Sequence, residues 1–173
     1  MTTRIAINGF GRIGRLVLRA LAENGHDDIE IVSINSPGSA DIMAHLLEFD
    51  STHGKFKGDI RLDGETLDIG TGAAIRLTHE RNPQDLPHAE LGIDVVLECS
   101  GKFNSRDKAS AHLDAGAKKV LISAPASGAD HTVVYGVNHE QMTADHLIVS
   151  NASCTTNCLA PMAKVMNETF GII

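Results

Sequence analysis

Short apolar, β-prone runs alternate along the chain with stretches whose apolar residues recur at helical spacing. Ile5-Ala6-Ile7-Asn8 opens the series as a strand and leads through a glycine-rich turn into a helical run from Arg15 to about Asn24. Ile29 to Ile34 forms a second strand, and Asp41 to Leu47 a short helix. Ile60-Arg61-Leu62, Thr66 to Ile69 and Ala74 to Leu77 alternate apolar and polar residues and are broken by Asp63-Gly64 and Gly70-Thr71-Gly72, the pattern of a β-meander. Asp94 to Cys99 reads as a buried strand; Ser105 caps a helix that Gly116 ends, and Lys119 to Ser123 is the next strand. Leu147-Ile148-Val149 is the last strand, after which Leu159, Met162, Val165, Met166 and Phe170 fall on helical spacing. Strands alternating with helices through short loops define an α/β fold, a doubly wound and mainly parallel sheet with an inserted β-meander.

Sheets of this kind bind cofactors at the carboxyl ends of their strands. Four turns of this sequence fall on that edge: Gly9 to Gly14, Asn35-Ser36, Ser100-Gly101 and Ser123. The first is Gly-x-Gly-x-x-Gly in the strand-to-helix setting that gives the pattern its meaning. Gly9 makes the tight turn, Gly11 lets backbone approach a pyrophosphate, and Gly14 lets the helix pack on the sheet, with the N–H groups of Arg12 and Ile13 aimed at the phosphates. The bland alternative is a glycine-rich turn that binds nothing. At the end of the second strand, where an acid ordinarily holds the adenosine ribose hydroxyls, stands Ser36. A serine there opens the site to NADP, or is an ordinary turn residue before Pro37.

The second focus is Ser150-Asn151-Ala152-Ser153-Cys154-Thr155-Thr156-Asn157-Cys158, where strand character gives way to helix character at a cysteine. A thiol at a helix start faces the positive end of the macrodipole and unpaired N–H groups, surroundings that favour a nucleophile. Cys154 is therefore the candidate nucleophile, with a buried structural cysteine as the alternative. Cys158, one turn on, reads as a packing residue, and His53 as a surface-loop histidine rather than a general base.

Composition narrows the classes. A net charge of −7 and 3% aromatic residues argue against nucleic-acid binding. No apolar run approaches the length of a membrane span, and Met1-Thr2-Thr3-Arg4 leads directly into a strand, so a cytoplasmic protein is expected. Three cysteines do not make a disulfide framework, and neither they nor the nine histidines show the spacing of a metal site.

Asn8-Gly9-Phe10-Gly11-Arg12-Ile13-Gly14-Arg15, Ala44-His45-Leu46-Leu47 with Asp50-Ser51 and His53-Gly54, Lys118 through Pro125, and Ser150 through Asn157 together resemble phosphorylating glyceraldehyde-3-phosphate dehydrogenase. The resemblance covers the whole chain. It implies a Rossmann NAD(P)-binding domain over residues 1–152 and the first helix of a catalytic domain over 153–173. It also implies that Cys154 attacks an aldehyde, that hydride passes to NAD or NADP, and that inorganic phosphate resolves the thioester. Ser153 and Thr155 would contact the phosphorylated aldehyde or phosphate. The cofactor residues would be Asn8, Gly9, Phe10, Gly11, Arg12, Ile13, Asn35, Ser36, Arg81, Ser100, Gly101 and Ser123. Members are usually homotetramers.

The resemblance also carries departures. Ser36 stands where NAD-preferring members have an acid. No histidine follows Cys154, although the family places its catalytic histidine, its substrate-phosphate arginines and most of its catalytic domain later than Ile173. A thiol without its imidazole loses roughly 10²- to 10⁴-fold in rate, so the chain by itself is expected to be inactive. Two alternatives stand beside this reading: the erythrose-4-phosphate dehydrogenase branch, suggested by His79-Glu80-Arg81 and Thr132 through Asn138, and a natively short dinucleotide-binding module without chemistry.

Overall fold

The computed structural model describes residues 2–172. Strand β1 (Thr3–Asn8) leads into helix α1 (Arg12–Asn24), β2 (Ile29–Asn35) and α2 (Ala40–Glu48). A small hairpin, β3 (Phe49–Asp50) and β4 (Gly54–Lys55), precedes β5 (Arg61–Asp63), β6 (Thr66–Asp68) and β7 (Ile75–Thr78). Then follow β8 (Val95–Glu98), α3 (Arg106–Asp114), β9 (Lys119–Ile122), β10 (His131–Thr132), β11 (Ile148–Ser150) and α4 (Cys154–Phe170). The polar loop expected between α2 and the meander thus contains the β3–β4 pair.

Nine of these strands form one sheet in the order β10-β11-β9-β8-β1-β2-β7-β6-β5. Pairing is parallel from β10 to β7 and antiparallel only in β5-β6-β7. The meander is therefore an extension of the main sheet: β7 lies parallel to β2, with Ser33 opposite Arg76, and carries β6 and β5 outward. Sequence alternation identifies these strands but not the neighbour that β7 chooses, because a parallel partner far away in the chain leaves no local signal.

The period of two along each strand divides the core between the sheet's two faces. Ile5 and Ile7 of β1, with Ile31 and Ile34 of β2, join Leu18 of α1 and Met43 and Leu47 of α2. Ala6, Val32 and Val96 face the other way, towards Ala109 of α3, with Val120, Ile122 and Ile148. Ile7, Ile34 and Leu47 are wholly buried, and each such side chain contributes on the order of 2 kcal/mol of transfer free energy. Helix α4 contrasts with this: Leu159, Met162, Val165, Met166 and Phe170 are all exposed. Among the described residues no helix is long and apolar enough to cross a membrane.

Because β11, β9, β8, β1, β2 and β7 run in one direction, the residues after them emerge along one edge. The chain leaves β1 for β2 on one side through α1, and later returns to β8 on the other side of β1. That change of direction opens a crevice beyond β1, the place where α/β sheets bind their ligands.

Candidate functional site

Two glycines of the first turn are required by the chain's own packing. Gly9 has φ +95°, and a Cβ on it would lie 2.4 Å from the Ser100 nitrogen. A Cβ on Gly14 would lie 2.2 Å from the Gly9 carbonyl oxygen. Gly11 is different: its φ is −77° and a Cβ there would meet nothing within 4 Å. Nor does a side chain cap α1, so the first N–H groups of the helix, those of Arg12 and Ile13 among them, face the crevice. An open approach to uncapped amides is the surface a pyrophosphate fits.

The edge carries two clefts. One, of about 330 Å³, is lined by Asn8 to Gly11, by Asn35, Ser36, Pro37 and Arg81, and by Cys99 and Ser100. The other, of about 390 Å³, is lined by Ile13, Leu97, Cys99, Ser123 and the segment Asn151 to Cys154. Both have Cys99 in their walls, so the two clefts lie side by side along the edge. Gly101 lies outside both walls, exposed, with its carbonyl accepting from Asn104 Nδ2 at 3.1 Å.

Beneath the first cleft runs a buried hydrogen-bond chain. Asn35 Nδ2 donates to the Glu80 carbonyl at 2.9 Å and its Oδ1 accepts from the Glu80 N–H at 2.9 Å. The same Nδ2 donates to Asn8 Oδ1 at 2.7 Å, and Asn8 Nδ2 donates to Glu98 Oε2 at 2.5 Å. Glu98 Oε1 accepts from the Ser100 N–H at 2.7 Å and from its hydroxyl at 2.5 Å. His112 Nε2 lies 3.1 Å from Glu98 Oε2 and His112 Nδ1 3.1 Å from His88 Nε2. With the carboxylate accepting, His112 donates from Nε2, and His88 Nδ1 is buried without a partner. Burial pushes Glu98 up, but the bonds from His112, Ser100 and Asn8 outweigh it and hold the carboxyl below its ordinary value. Burial, reinforced by His112, lowers His88 to about 4.

This chain changes the roles available to residues expected to bind cofactor. The side chains of Asn8 and Asn35 are buried and their bonds are spent within the protein, as are both polar groups of Ser100. The Phe10 ring is part of the core. These residues shape the cleft, whereas Ser36 and Arg81 stand at its wall. Glu98, His112 and His88 were not singled out by sequence reasoning; only the pairing of β1 with β8 brings Glu98 to Asn8.

At the other cleft, Ser153 caps α4, its Oγ accepting from the Thr156 N–H at 3.0 Å and lying 2.9 Å from the Thr155 hydroxyl. Cys154, the first residue of the helix, is exposed. The preceding Ala152 has φ 56°, the single positive φ among the described non-glycine residues. That conformation costs on the order of 1 kcal/mol and is held by Ser150, whose Oγ donates to the Ala124 carbonyl at 2.8 Å and accepts from the Ala152 N–H at 3.1 Å. Asn157 Nδ2 completes the clamp on the Asn151 carbonyl at 2.7 Å.

Cys158 is exposed, so its expected packing role is not filled within these residues. His53 is exposed on the β3–β4 turn, donates its N–H to Asp50 and does not line the Cys154 cleft. Burial, with Glu98 adding to it against the Ser123 hydrogen bond, pushes the Cys99 thiol up. Brief treatment with iodoacetamide is therefore expected to alkylate Cys154 and Cys158 well before Cys99, with Cys154 the faster of the two by its place at the helix start. Peptide mass mapping reads the order, and preferential labelling of Cys99 would contradict the arrangement.

The fold and this edge define a dinucleotide-binding α/β protein with an accessible thiol beside its cleft. Residues 3–106 match the family model described as glyceraldehyde 3-phosphate dehydrogenase, NAD binding domain, and residues 153–173 match that of the C-terminal domain of the same family. The chain belongs to the glyceraldehyde 3-phosphate dehydrogenase family and carries its NAD-binding domain, so its cofactor is NAD or NADP. Curated relatives named glyceraldehyde-3-phosphate dehydrogenase include those of Xanthobacter flavus, 63% identical over 99% of this chain and 51% of the relative, and Pseudomonas aeruginosa, 58% identical over 99% of this chain and 52% of the relative. That of Cereibacter sphaeroides is 56% identical over 99% of this chain and 51% of its own length. The chain thus spans about half the length of these relatives.

Proposed function

We propose that this chain holds NAD or NADP along the carboxyl edge, and that at the relatives' full length Cys154 is the nucleophile that oxidises and phosphorylates glyceraldehyde 3-phosphate. The observation that carries the reading is that the two clefts on this edge share Cys99 in their walls, with the accessible Cys154 lining the second. The adenosine half lies against Ser36 and Arg81, the pyrophosphate against Gly9, Gly11 and the N–H groups of Arg12 and Ile13, and the nicotinamide half near Ser123 and Cys154.

When bound, the nicotinamide supplies the hydride acceptor. The protein's part begins with Cys154, whose sulfur attacks the aldehyde carbon to give a thiohemiacetal, the oxyanion facing the N–H groups at the start of α4. Loss of hydride leaves a thioester on Cys154, and phosphate, oriented by the hydroxyls of Ser153 and Thr155, displaces the sulfur to give an acyl phosphate. All nine histidines precede Cys154 and none lines its cleft. The proton partner of the thiol is accordingly assigned to the part of the relatives' length that this chain does not span. The exposed apolar side of α4 is assigned to packing within that same part, with the cofactor domain ending near residue 152.

Calorimetric titration tests the cofactor assignment. Since Ser36 offers no carboxylate to repel a 2′-phosphate, NADP is expected to bind within about tenfold of NAD. A far larger preference for NAD would contradict the role given to Ser36, and binding of neither would remove the reading.

A further inference from the structure

The turn that follows β2 is gripped from behind by His79, the residue after β7. Its Nδ1 lies 2.9 Å from the Ser36 carbonyl oxygen. Its Nε2 lies 2.6 Å from a carboxylate oxygen of Glu65, on the β5–β6 turn. A carbonyl and a carboxylate are both acceptors, so the two contacts are satisfied together only by a ring carrying two N–H groups, an imidazolium. Energetics agree with the geometry: the Glu65 hydrogen bond is the main influence raising His79 above its ordinary value, burial opposes it, and the Ser36 and Gly38 backbones reinforce it. His79 therefore ties the Ser36–Gly38 turn to the meander and carries positive charge directly behind the cleft wall formed by Ser36, Pro37 and Arg81.

In this fold the residue at the end of the second strand faces the 2′ position of the adenosine ribose. An acid there selects NAD, and nearby positive charge accommodates a 2′-phosphate. We propose that His79 is a specificity-determining residue: as an imidazolium it holds the Ser36 turn and favours a cofactor bearing a 2′-phosphate, so preference for NADP over NAD weakens as the ring loses its second proton. This rests on the cofactor placement proposed above.

Several charges act on the same region. Glu65, from the β5–β6 turn, binds the ring and offsets part of its charge, while the β2 side contributes the uncharged Ser36 and Gly38. Glu80 and Arg81 follow on the segment that carries His79. The 2′-phosphate itself titrates near pH 6, as phosphate monoesters do. Comparison with His79→Gln isolates the ring from the phosphate, because glutamine keeps a donor without the charge and the phosphate titrates alike against both proteins.

The experiment is calorimetric titration of the 173-residue chain and its His79→Gln variant with NADP and with NAD, at pH 6.0 and pH 9.0. At pH 6.0 the variant is expected to lose about fivefold in NADP affinity relative to NAD, the scale of one unit charge acting across a partly solvated gap. At pH 9.0 that difference should fall below about twofold as the parent ring becomes neutral. Equal NADP-to-NAD ratios in the two proteins at pH 6.0 would overturn the proposal, and so would a difference that persists undiminished at pH 9.0. A parent chain that binds neither nucleotide would overturn the cofactor placement together with it, whereas a parent that binds both and is indifferent to His79→Gln would overturn the role of His79 alone.

Discussion

Acidification from pH 6.5 to pH 4 is expected to remove roughly 3 kcal/mol of folding stability through His88 alone. In the unfolded chain this histidine takes up a proton near its ordinary value of 6.5, whereas burial and the neighbouring His112 ring hold it to about 4 in the fold. Across that window the unfolded state binds more protons, so stability is complete above pH 6.5, declines as pH falls, and has no further contribution from His88 below about 4. Glu98 adds a second loss at lower pH: its carboxyl is held below the ordinary value, so its stabilisation is present above that value and disappears as the pH falls through the folded one. Urea unfolding at half-unit pH intervals reads both losses. The variant His88→Phe should flatten the upper window while leaving the lower one, and an unchanged slope in the variant would contradict this account of the buried chain.

The glycine turn gives the second large effect. Gly14→Ala would drive a methyl group to 2.2 Å from the Gly9 carbonyl oxygen, against backbone that is itself fixed by the contact of Gly9 with Ser100. Relief requires α1 to move off the sheet and Leu18 out of the core, so a loss of at least about 3 kcal/mol is expected. Gly9→Ala combines a similar clash with a left-handed φ of +95° and should be at least as damaging. Thermal unfolding checks both. Wild-type stability in either variant would show that the helix is not packed as described.

Gly9, Gly11 and Gly14 show what could be read from the sequence and what could not. Their spacing behind Ile5-Ala6-Ile7-Asn8 announces the strand, the turn and the helix, because the signal is local. The helix nevertheless starts at Arg12, three residues before the helical run expected from Arg15, because helix starts are set by backbone geometry at Gly11 and not by the buried face. Ser153 as cap and Cys154 as first helical residue were legible for the same local reason. The buried chain from Asn35 to His88 was not. Asn8 and Glu98 are 90 residues apart and meet only through the parallel pairing of β1 with β8. His112 reaches Glu98 from α3, on the far side of the sheet from α1. The apolar run Val95-Val96-Leu97 marks the strand as buried but does not say which side chains Glu98 meets. The left-handed Ala152 was equally silent, since alanine gives no hint of a positive φ.

Glycine 11 separates fold from function most cleanly. Its backbone angles suit alanine and its Cβ direction is open, so Gly11→Ala should cost at most about 1 kcal/mol of stability, the scale of a helix-cap change. We assign this open direction to the cofactor pyrophosphate. Calorimetric titration with NAD of the parent chain and of Gly11→Ala tests that claim directly. The prediction is measurable binding by the parent and about tenfold or greater weakening in a variant that remains folded, because a methyl group would occupy the backbone's approach to the phosphates. Equal affinity in the two proteins, or no binding by the parent, would contradict it.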